Sequence, residues 1–153
     1  MSSPEHRLSE LGITLPEPVA PVANYVPFVR TGNQVFISGQ VSIGPDGLVT
    51  GTLGKDMDVA AGQAAARLCG INLIAQLKAA CDGDLTRIKR VVKLGGFVAA
   101  QPGFTEIPQV INGCSDLMVE VFGDAGRHAR SAVSCPALPL GAAVEVDGIF
   151  EIG

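Results

Sequence analysis

The sequence predicts a single α+β domain in which helices cover one face of a β-sheet. The chain has 153 residues, of which 47% are hydrophobic, and this is enough to fill one core of ordinary size. Several short segments alternate apolar and polar residues, as half-buried strands do. Two longer segments repeat apolar residues at helical spacing, which predicts helices that pack on the sheet.

Composition excludes several classes of protein. The 11 Lys and Arg residues against 15 Asp and Glu give a net charge of -4, and the pI is about 5.0, so nucleic acid is not an expected partner. No run approaches the roughly 18 apolar residues of a membrane helix, and the first 20 residues lack a signal-peptide pattern. We therefore expect a soluble, cytoplasmic protein without a membrane partner. Because only 17% of residues are charged, we also expect part of the surface to be buried against further copies of the chain.

The first third of the chain predicts a short helix, an extended segment and a strand. Residues 7–11 can form one or two helical turns, and four prolines between 16 and 27 exclude a helix there. The first clear strand is 34–41, with Val35, Ile37 and Val41 on one face and Gln34, Phe36, Ser38 and Gln40 on the other. A turn at 44–47 ends it.

A long helix is predicted from about Met57 to Ala80. Asp56 or Asp58 can cap it, and its interior is rich in alanine. Its apolar residues form two stripes, so a second surface besides the sheet has to cover the helix, either the N-terminal segment or a neighbouring subunit. We expect residues 1–15 to pack on the outer stripe. The inner stripe is Ala66, Cys69, Gly70, Leu73, Ile74 and Leu77, and the outer stripe is Ala64, Leu68, Ile71, Ala75 and Ala79.

The second half predicts a central strand at 88–98, a helix at 107–122 ended by Gly123, and strands at 129–135 and 142–152. In the last strand Val144, Val146 and Phe150 share the core face. Alternation then predicts an opposite, polar sheet face that carries Ser38, Arg130 and Glu145.

Common catalytic and metal-binding signatures are absent. The sequence has no GxSxG, GxxxxGK[ST], GxGxxG or HExxH motif, and its two histidines exclude a His-rich metal site. The four cysteines lack CxxC spacing and lie in apolar segments, where structural thiols are expected. His128 can point into the same cleft as Arg130, although a lone histidine at a strand start is more often solvated or hydrogen bonded. Arg130 and Glu145, taken alone, are most often a structural ion pair.

Three stretches of sequence carry a resemblance to a known family. They are Arg30-Thr31-Gly32-Asn33-Gln34-Val35-Phe36-Ile37-Ser38-Gly39-Gln40, Arg130-Ser131-Ala132-Val133, and Leu138-Pro139-Leu140-Gly141-Ala142-Ala143-Val144-Glu145-Val146. Together they closely resemble the RidA/YjgF family of reactive-intermediate deaminases. The resemblance covers residues 19–153, which leaves residues 1–18 as an N-terminal extension.

The resemblance implies a chorismate-mutase-like α+β fold, with a mixed sheet backed by two helices and three subunits packed around a threefold axis. It places active sites in the clefts between subunits and implies no metal and no cofactor. Arg130 would hold the substrate carboxylate, because a planar guanidinium can form two parallel hydrogen bonds that lysine cannot reproduce. Glu145 would orient the hydrolytic water. Tyr25, Ser38 and Gly39 would line the cleft.

Three features depart from the family pattern. Ala132 stands where the family has a reactive cysteine, which excludes thiol chemistry at that position. Ser115 takes the place of an asparagine, and Asn112, one helical turn earlier, is a candidate substitute. The segment between Phe122 and Arg130 is shorter, and it contains Gly123, Gly126, Arg127 and His128.

The function that the resemblance implies is hydrolytic deamination of 2-imino or 2-enamino acids to 2-keto acids and ammonia. Such substrates are reactive, so positioning and one oriented water can suffice. The alternative is a non-catalytic trimer that binds a small carboxylate metabolite in the same clefts. Ribonuclease activity, also attributed to the family, is disfavoured by the acidic pI.

Overall fold

A computed structural model of the chain describes residues 2–20 and 23–153. It contains a five-stranded sheet and a separate two-stranded hairpin. The helices and strands are α1 Pro4–Glu10, β1 Phe28–Thr31, β2 Gln34–Val41, β3 Ile43–Gly44, β4 Gly47–Leu48, α2 Val59–Ala80, β5 Ile88–Ala99, α3 Ile107–Phe122, β6 Ala129–Cys135 and β7 Val144–Ile152.

The main sheet has the strand order β1-β2-β7-β5-β6, and β3 and β4 form the hairpin. β5 and β6 are parallel, whereas the other neighbouring pairs are antiparallel. α2 and α3 pack side by side against one face of the sheet, which we call the covered face. The opposite face is the open face. The predicted α+β class with a mixed sheet is confirmed.

α2 begins at Val59, slightly later than predicted, because the carboxylate of Asp58 caps it. Asp58 accepts a hydrogen bond from the backbone N–H of Ala61 at 2.8 Å. The inner stripe is buried in the core, while Leu68 and Ile71 of the outer stripe line a groove with residues 12–16. The second surface on α2 is therefore the N-terminal segment of the same chain.

The N-terminal segment divides into two parts. Residues 12–16 lie over α2 as predicted, but α1 packs on the end of α3 and on the turn at 85–87. The expectation that all of residues 1–15 cover α2 is wrong for α1. Its position follows from polar contacts: Glu5 accepts from the backbone N–H of Leu85 at 2.8 Å, and Arg7 donates to the carbonyl of Val121 at 3.4 Å.

A β-bulge at Ser38 and Gly39 shifts the register between β2 and β7. Gln40 consequently pairs with Val146 and is buried, whereas Val41 pairs with Glu145. The predicted grouping of Val41 with Val35 and Ile37 is wrong for this reason. Simple alternation fails here because the bulge inserts an extra residue into β2.

The predicted face of Arg130 is also wrong. Arg130 lies opposite Leu94 of β5, whose side chain is fully buried under the helices, so Arg130 belongs to the covered face. β6 is an edge strand with no fully buried side chain on either face, and its alternation carries little information about which face is inside. The open face is less polar than expected, since it exposes Phe97 and Val133 as well as Val29 and Phe36.

Candidate functional site

Glu145 lies at a small cavity between β2, β7 and the turn at 139–141. The cavity has a volume of about 100 Å³, and Tyr25, Ser38 and Gly39 also line it. We call these four residues the Glu145 half-site. The structure therefore brings together four of the residues predicted from the sequence.

The bulge in β2 explains why glycine and serine occupy its two positions. A Cβ atom on Gly39 would collide with the carboxylate of Glu145, so a larger residue here would displace this carboxylate from its present position. Ser38 donates from its hydroxyl to the carbonyl of Val26 at 2.8 Å, which fixes the segment leading to Tyr25. The bare backbone at Gly39 therefore leaves room for the Glu145 carboxylate at the wall of the cavity.

The carboxyl group of Glu145 has a raised pKa. Its burial disfavours the charged form, and the neighbouring charge of Asp147 on the same strand adds to the effect. Asp147 also has a raised pKa, because it is half-buried on the open face. Glu145 is therefore closer to its protonated form at neutral pH than an ordinary glutamate, as suits a group that exchanges protons.

Arg130 belongs to a different cluster, formed where β6 passes under α3. Its Nη1 atom donates to Oδ1 of Asn112 at 2.8 Å and to Oγ of Ser115 at 3.1 Å. Both residues were predicted as candidates, and both contact Arg130. With His128 they form what we call the Arg130 half-site.

His128 joins this cluster through Ser115. Its Nε2 atom lies 2.9 Å from Oγ of Ser115, and its Nδ1 atom lies 2.6 Å from the carbonyl oxygen of Gly126. Burial lowers the pKa of His128, and the charge of Arg130 lowers it further. The imidazole is thus hydrogen bonded within the cluster, which is one of the two ordinary environments, solvated or hydrogen bonded, that the sequence predicted for it.

The two half-sites do not meet within one chain. Arg130 pairs with Leu94 and Glu145 pairs with Phe97, three residues further along β5, so their side chains leave opposite faces of the sheet. The sequence-based expectation that they lie side by side is wrong. A ligand held by Arg130 cannot reach Glu145 of the same chain.

Sequence reasoning missed further residues at the Glu145 half-site. Pro139 and Leu140 line the Glu145 cavity, and Leu140 is 70% exposed with a positive φ of 61° that leucine rarely adopts. Asp147, which acts on Glu145, was also missed. Its spacing of two residues from Glu145 on one strand was the available signal.

Neither a metal centre nor a membrane-spanning element is found among the described residues. In 2–20 and 23–153, no three His, Cys, Asp or Glu side chains cluster closely enough to hold a metal ion. Over the same residues, none of the helices combines the length and the apolar character needed to span a bilayer. All four cysteines have free thiols.

Comparison with protein families decides the relationship of the chain. Residues 5–151 match the family described as "YjgF/chorismate_mutase-like, putative endoribonuclease". The chain belongs to this family. The relationship expected from the sequence motifs is thereby confirmed.

Relatives within the YjgF family cover nearly the whole chain. Protein TCP17 from Trypanosoma cruzi is 51% identical over 149 residues, with 95% of this chain and 91% of that protein covered. The crystal structure of protein Atu1372, of unknown function, from Agrobacterium tumefaciens is 52% identical with a TM-score of 0.92, covering 98% of this chain and 92% of that chain. The 2-iminobutanoate/2-iminopropanoate deaminase of Dermatophagoides farinae is 27% identical, with 90% of each chain covered.

Two positions distinguish this YjgF-family chain from the pattern that the motifs imply. Ala132 replaces the cysteine and packs against the core beneath the helices, so no thiol is available there. Ser115 replaces the asparagine, and its hydroxyl contacts both Arg130 and His128. The polar surroundings of Arg130 are thus built from Asn112, Ser115 and His128.

Proposed function

We propose that the chain is a cytoplasmic homotrimeric deaminase that hydrolyses 2-imino and 2-enamino acids to 2-keto acids and ammonia. Each active site would combine the Arg130 half-site of one copy with the Glu145 half-site of the next. The observation that carries this proposal is the position of Arg130 and Glu145 on opposite faces of the sheet. Two groups that must act on one small molecule can then meet only between subunits.

The open face of the sheet supports an assembly. It exposes Val29, Phe36, Phe97 and Val133 in one chain, although large apolar side chains are costly to leave in water. Packing this face against further copies removes that surface from water. Heterologous contacts that close into a ring bring different edges of neighbouring copies together, as the divided site requires.

Arg130 would bind the carboxylate of the substrate. Asn112 and Ser115 hold its guanidinium through Nη1, which reduces the entropy lost when a ligand binds. A bidentate pair with a carboxylate then fixes the imine carbon at a defined distance from the arginine.

Glu145 would move the protons of the hydrolysis. As a water oxygen bonds to the carbon of the protonated imine, the C=N π electrons move to nitrogen, and the carboxylate takes a proton from that water to give a neutral carbinolamine. The carboxyl group then returns this proton to the amino group. The carbon–nitrogen bond breaks and ammonia leaves, while the carbinolamine hydroxyl gives its proton to the carboxylate as the carbonyl forms. The raised pKa of Glu145 makes its carboxylate a stronger base than that of an ordinary glutamate, which favours its taking a proton from the water.

Two further observations support the proposal. The Dermatophagoides farinae relative, 27% identical, is named as a deaminase of 2-iminobutanoate and 2-iminopropanoate. The free thiols of the four cysteines fit a reducing compartment such as the cytoplasm.

The test is release of ammonia and keto acid from enzymatically generated 2-aminoacrylate, compared with buffer alone. Arg130→Ala and Glu145→Gln should each lose activity. If the two variants are mixed, unfolded and refolded together, about a quarter of the clefts in randomly assembled trimers would pair an intact Arg130 with an intact Glu145. Recovery of about a quarter of the wild-type rate would support a site shared between subunits.

The same assay separates the enzyme from the alternative function. Binding of a 2-keto acid without any acceleration over buffer would identify a trimeric binding protein. Failure of the mixed variants to recover activity, with both singly inactive, would contradict the division of the site between copies.

A further inference from the structure

The hydrogen bonds around His128 fix which of its nitrogen atoms carries the proton. A carbonyl oxygen only accepts hydrogen bonds, so the 2.6 Å contact with Gly126 requires a hydrogen on Nδ1. In the neutral imidazole Nε2 is then an acceptor. The Ser115 hydroxyl, 2.9 Å away, must donate its hydrogen to Nε2.

This orientation of the Ser115 hydroxyl determines how Ser115 meets Arg130. With its hydrogen directed to His128, Oγ presents its lone pairs to Nη1 of Arg130 at 3.1 Å. Asn112 accepts the other Nη1 hydrogen through Oδ1 at 2.8 Å. Both hydrogens of Nη1 are therefore engaged by the protein.

The remaining donors of Arg130 point to a ligand. Within residues 2–20 and 23–153, Nε and Nη2 make no hydrogen bond. These two atoms form the edge of the guanidinium that offers two parallel N–H groups, the geometry that matches a carboxylate.

We propose that His128 is a positioning residue: its neutral, Nδ1-protonated ring directs the Ser115 hydroxyl so that Ser115 and Asn112 occupy Nη1 of Arg130 and leave the Nε and Nη2 edge for a carboxylate. This inference rests on the proposed carboxylate-binding role of Arg130. It adds to the site a residue that lies outside the family motifs.

The surroundings of His128 favour its neutral form. Arg130 on β6 is the cation that acts on it, and a second positive charge beside the guanidinium is unfavourable. Asp124 and Arg127 precede His128 and pair with each other at 3.6 Å, and Arg90 on β5 donates to the Arg127 carbonyl. The half-buried ring accepts a hydrogen bond from the Ser115 hydroxyl on α3 and donates one to the Gly126 carbonyl. In the described part of the chain, no carboxylate is hydrogen bonded to it.

The ring nitrogens can be observed directly by ¹⁵N NMR, because the chain contains only two histidines. His6→Gln and His128→Gln assign the signals. We expect His128 to carry its hydrogen on Nδ1 and to titrate below the ordinary histidine value. A ring protonated on Nε2 at neutral pH would overturn the proposal.

Binding of pyruvate, a small 2-keto acid, tests the effect on Arg130. His128→Leu fills the space without an acceptor and should weaken pyruvate binding about tenfold, the upper range for a lost hydrogen bond. His128→Gln offers an amide oxygen to Ser115 and should stay within about twofold of wild type. The exposed His6→Gln should bind as wild type.

The coupling between His128 and Ser115 separates positioning from a general loss of structure. Ser115→Ala should weaken binding about as much as His128→Leu, and the double variant should be no weaker than either single one. Additive losses, equal binding by His128→Leu and wild type, or failure of the glutamine to rescue would each overturn the proposal. So would wild-type protein that does not bind pyruvate.

Failure of the deaminase proposal would look different. Pyruvate binding that depends on Arg130, Ser115 and His128, without ammonia release, would leave the positioning role intact and remove the enzymatic one. Full deaminase activity of the wild type, together with unaltered pyruvate binding by His128→Leu, would leave the enzymatic role intact and remove the positioning role of His128.

Discussion

Arg130 and Glu145 leave opposite faces of one sheet. Arg130 on β6 is in register with Leu94 of β5, while Glu145 on β7 is in register with Phe97, and an odd number of residues separates these positions. The guanidinium consequently reaches α3 on the covered face, while the carboxylate lies beside β2. Under the proposed function, one chain would present two halves of a site in two places, and a closed ring of copies would join them.

Arg130 should tolerate neither alanine nor lysine. Loss of a charge-assisted bidentate contact costs about 1.5–3 kcal/mol, so both variants should lose roughly ten- to a hundredfold in turnover or in 2-keto acid binding. Lysine keeps the charge but not the planar fork. Arg127→Ala, exposed three residues earlier, is the control and should have a mild effect. Active Arg130 variants with an inactive Arg127→Ala would place the ligand elsewhere.

Val133→Asp should break the assembly. Val133 is half exposed on the open face of an edge strand, where a buried carboxylate would be costly once copies pack together. Sedimentation should give three times the chain mass for wild type and a smaller species for the variant at micromolar concentration. The control is Leu11→Asp, at the end of α1 and away from the open face, and this variant should remain a trimer. A wild-type monomer would remove the basis for a shared site.

The sequence predicted most of the fold because its helices and central strands have strong patterns. The Asp58 cap, the two stripes of α2 and the apolar face of β7 each correspond to a feature of the structure. These elements are buried on at least one side, so the hydrophobic pattern is strongly constrained there. The same reasoning found Tyr25, Ser38, Gly39 and Glu145, which line one cavity.

The hydrophobic pattern gave the wrong sheet face for side chains in strands that contain a bulge or lack fully buried residues. The bulge at Ser38 and Gly39 inserts one residue and moves Val41 to the other face, which no alternation rule anticipates. No side chain of β6 is fully buried on either face, so its sequence does not indicate which face holds Arg130. The contact between Ser115 and His128 joins a helix to a strand start, and such pairs follow from tertiary packing alone.

Gly113→Ala should destabilise the protein although alanine is the better helix former by about 1 kcal/mol. A Cβ atom at this position in α3 would collide with the backbone carbonyl of Gln63 in α2, where the helices are in close contact. Overpacking against a rigid backbone typically costs 1–3 kcal/mol, which exceeds the gain in propensity. Urea unfolding should show a lower midpoint. A higher midpoint would mean that the helices separate at little cost.

Leu8 should anchor the N-terminal segment. Its side chain is 4% exposed, and Leu8→Ala removes buried apolar atoms at an expected cost of about 2–5 kcal/mol. Leu11→Ala, at 36% exposure, is the matched control and should cost much less. Removal of residues 1–15 should likewise lower the melting temperature while leaving the oligomeric state unchanged. An unchanged melting temperature would identify the segment as a free tail.

Glu145→Gln should stabilise the protein at neutral pH while it abolishes proton transfer. Burial raises the pKa of Glu145 in the folded chain, so the folded state binds this proton more tightly than the unfolded state does. The stabilising contribution of this group is lost as the pH rises from the pKa of the unfolded state, about 4.3, through the raised pKa of the folded state. At pH 7 the ionised carboxylate therefore lowers the free energy of unfolding. The glutamine removes that cost.

The higher stability of the Glu145→Gln variant in urea unfolding should therefore be present at pH 7 and disappear below about pH 4, where glutamate is protonated in both states. Glu151→Gln, exposed on the same strand, serves as the control. A Glu145→Gln variant that is less stable at pH 7 would mean that a neighbouring copy pairs with the carboxylate in the assembled protein.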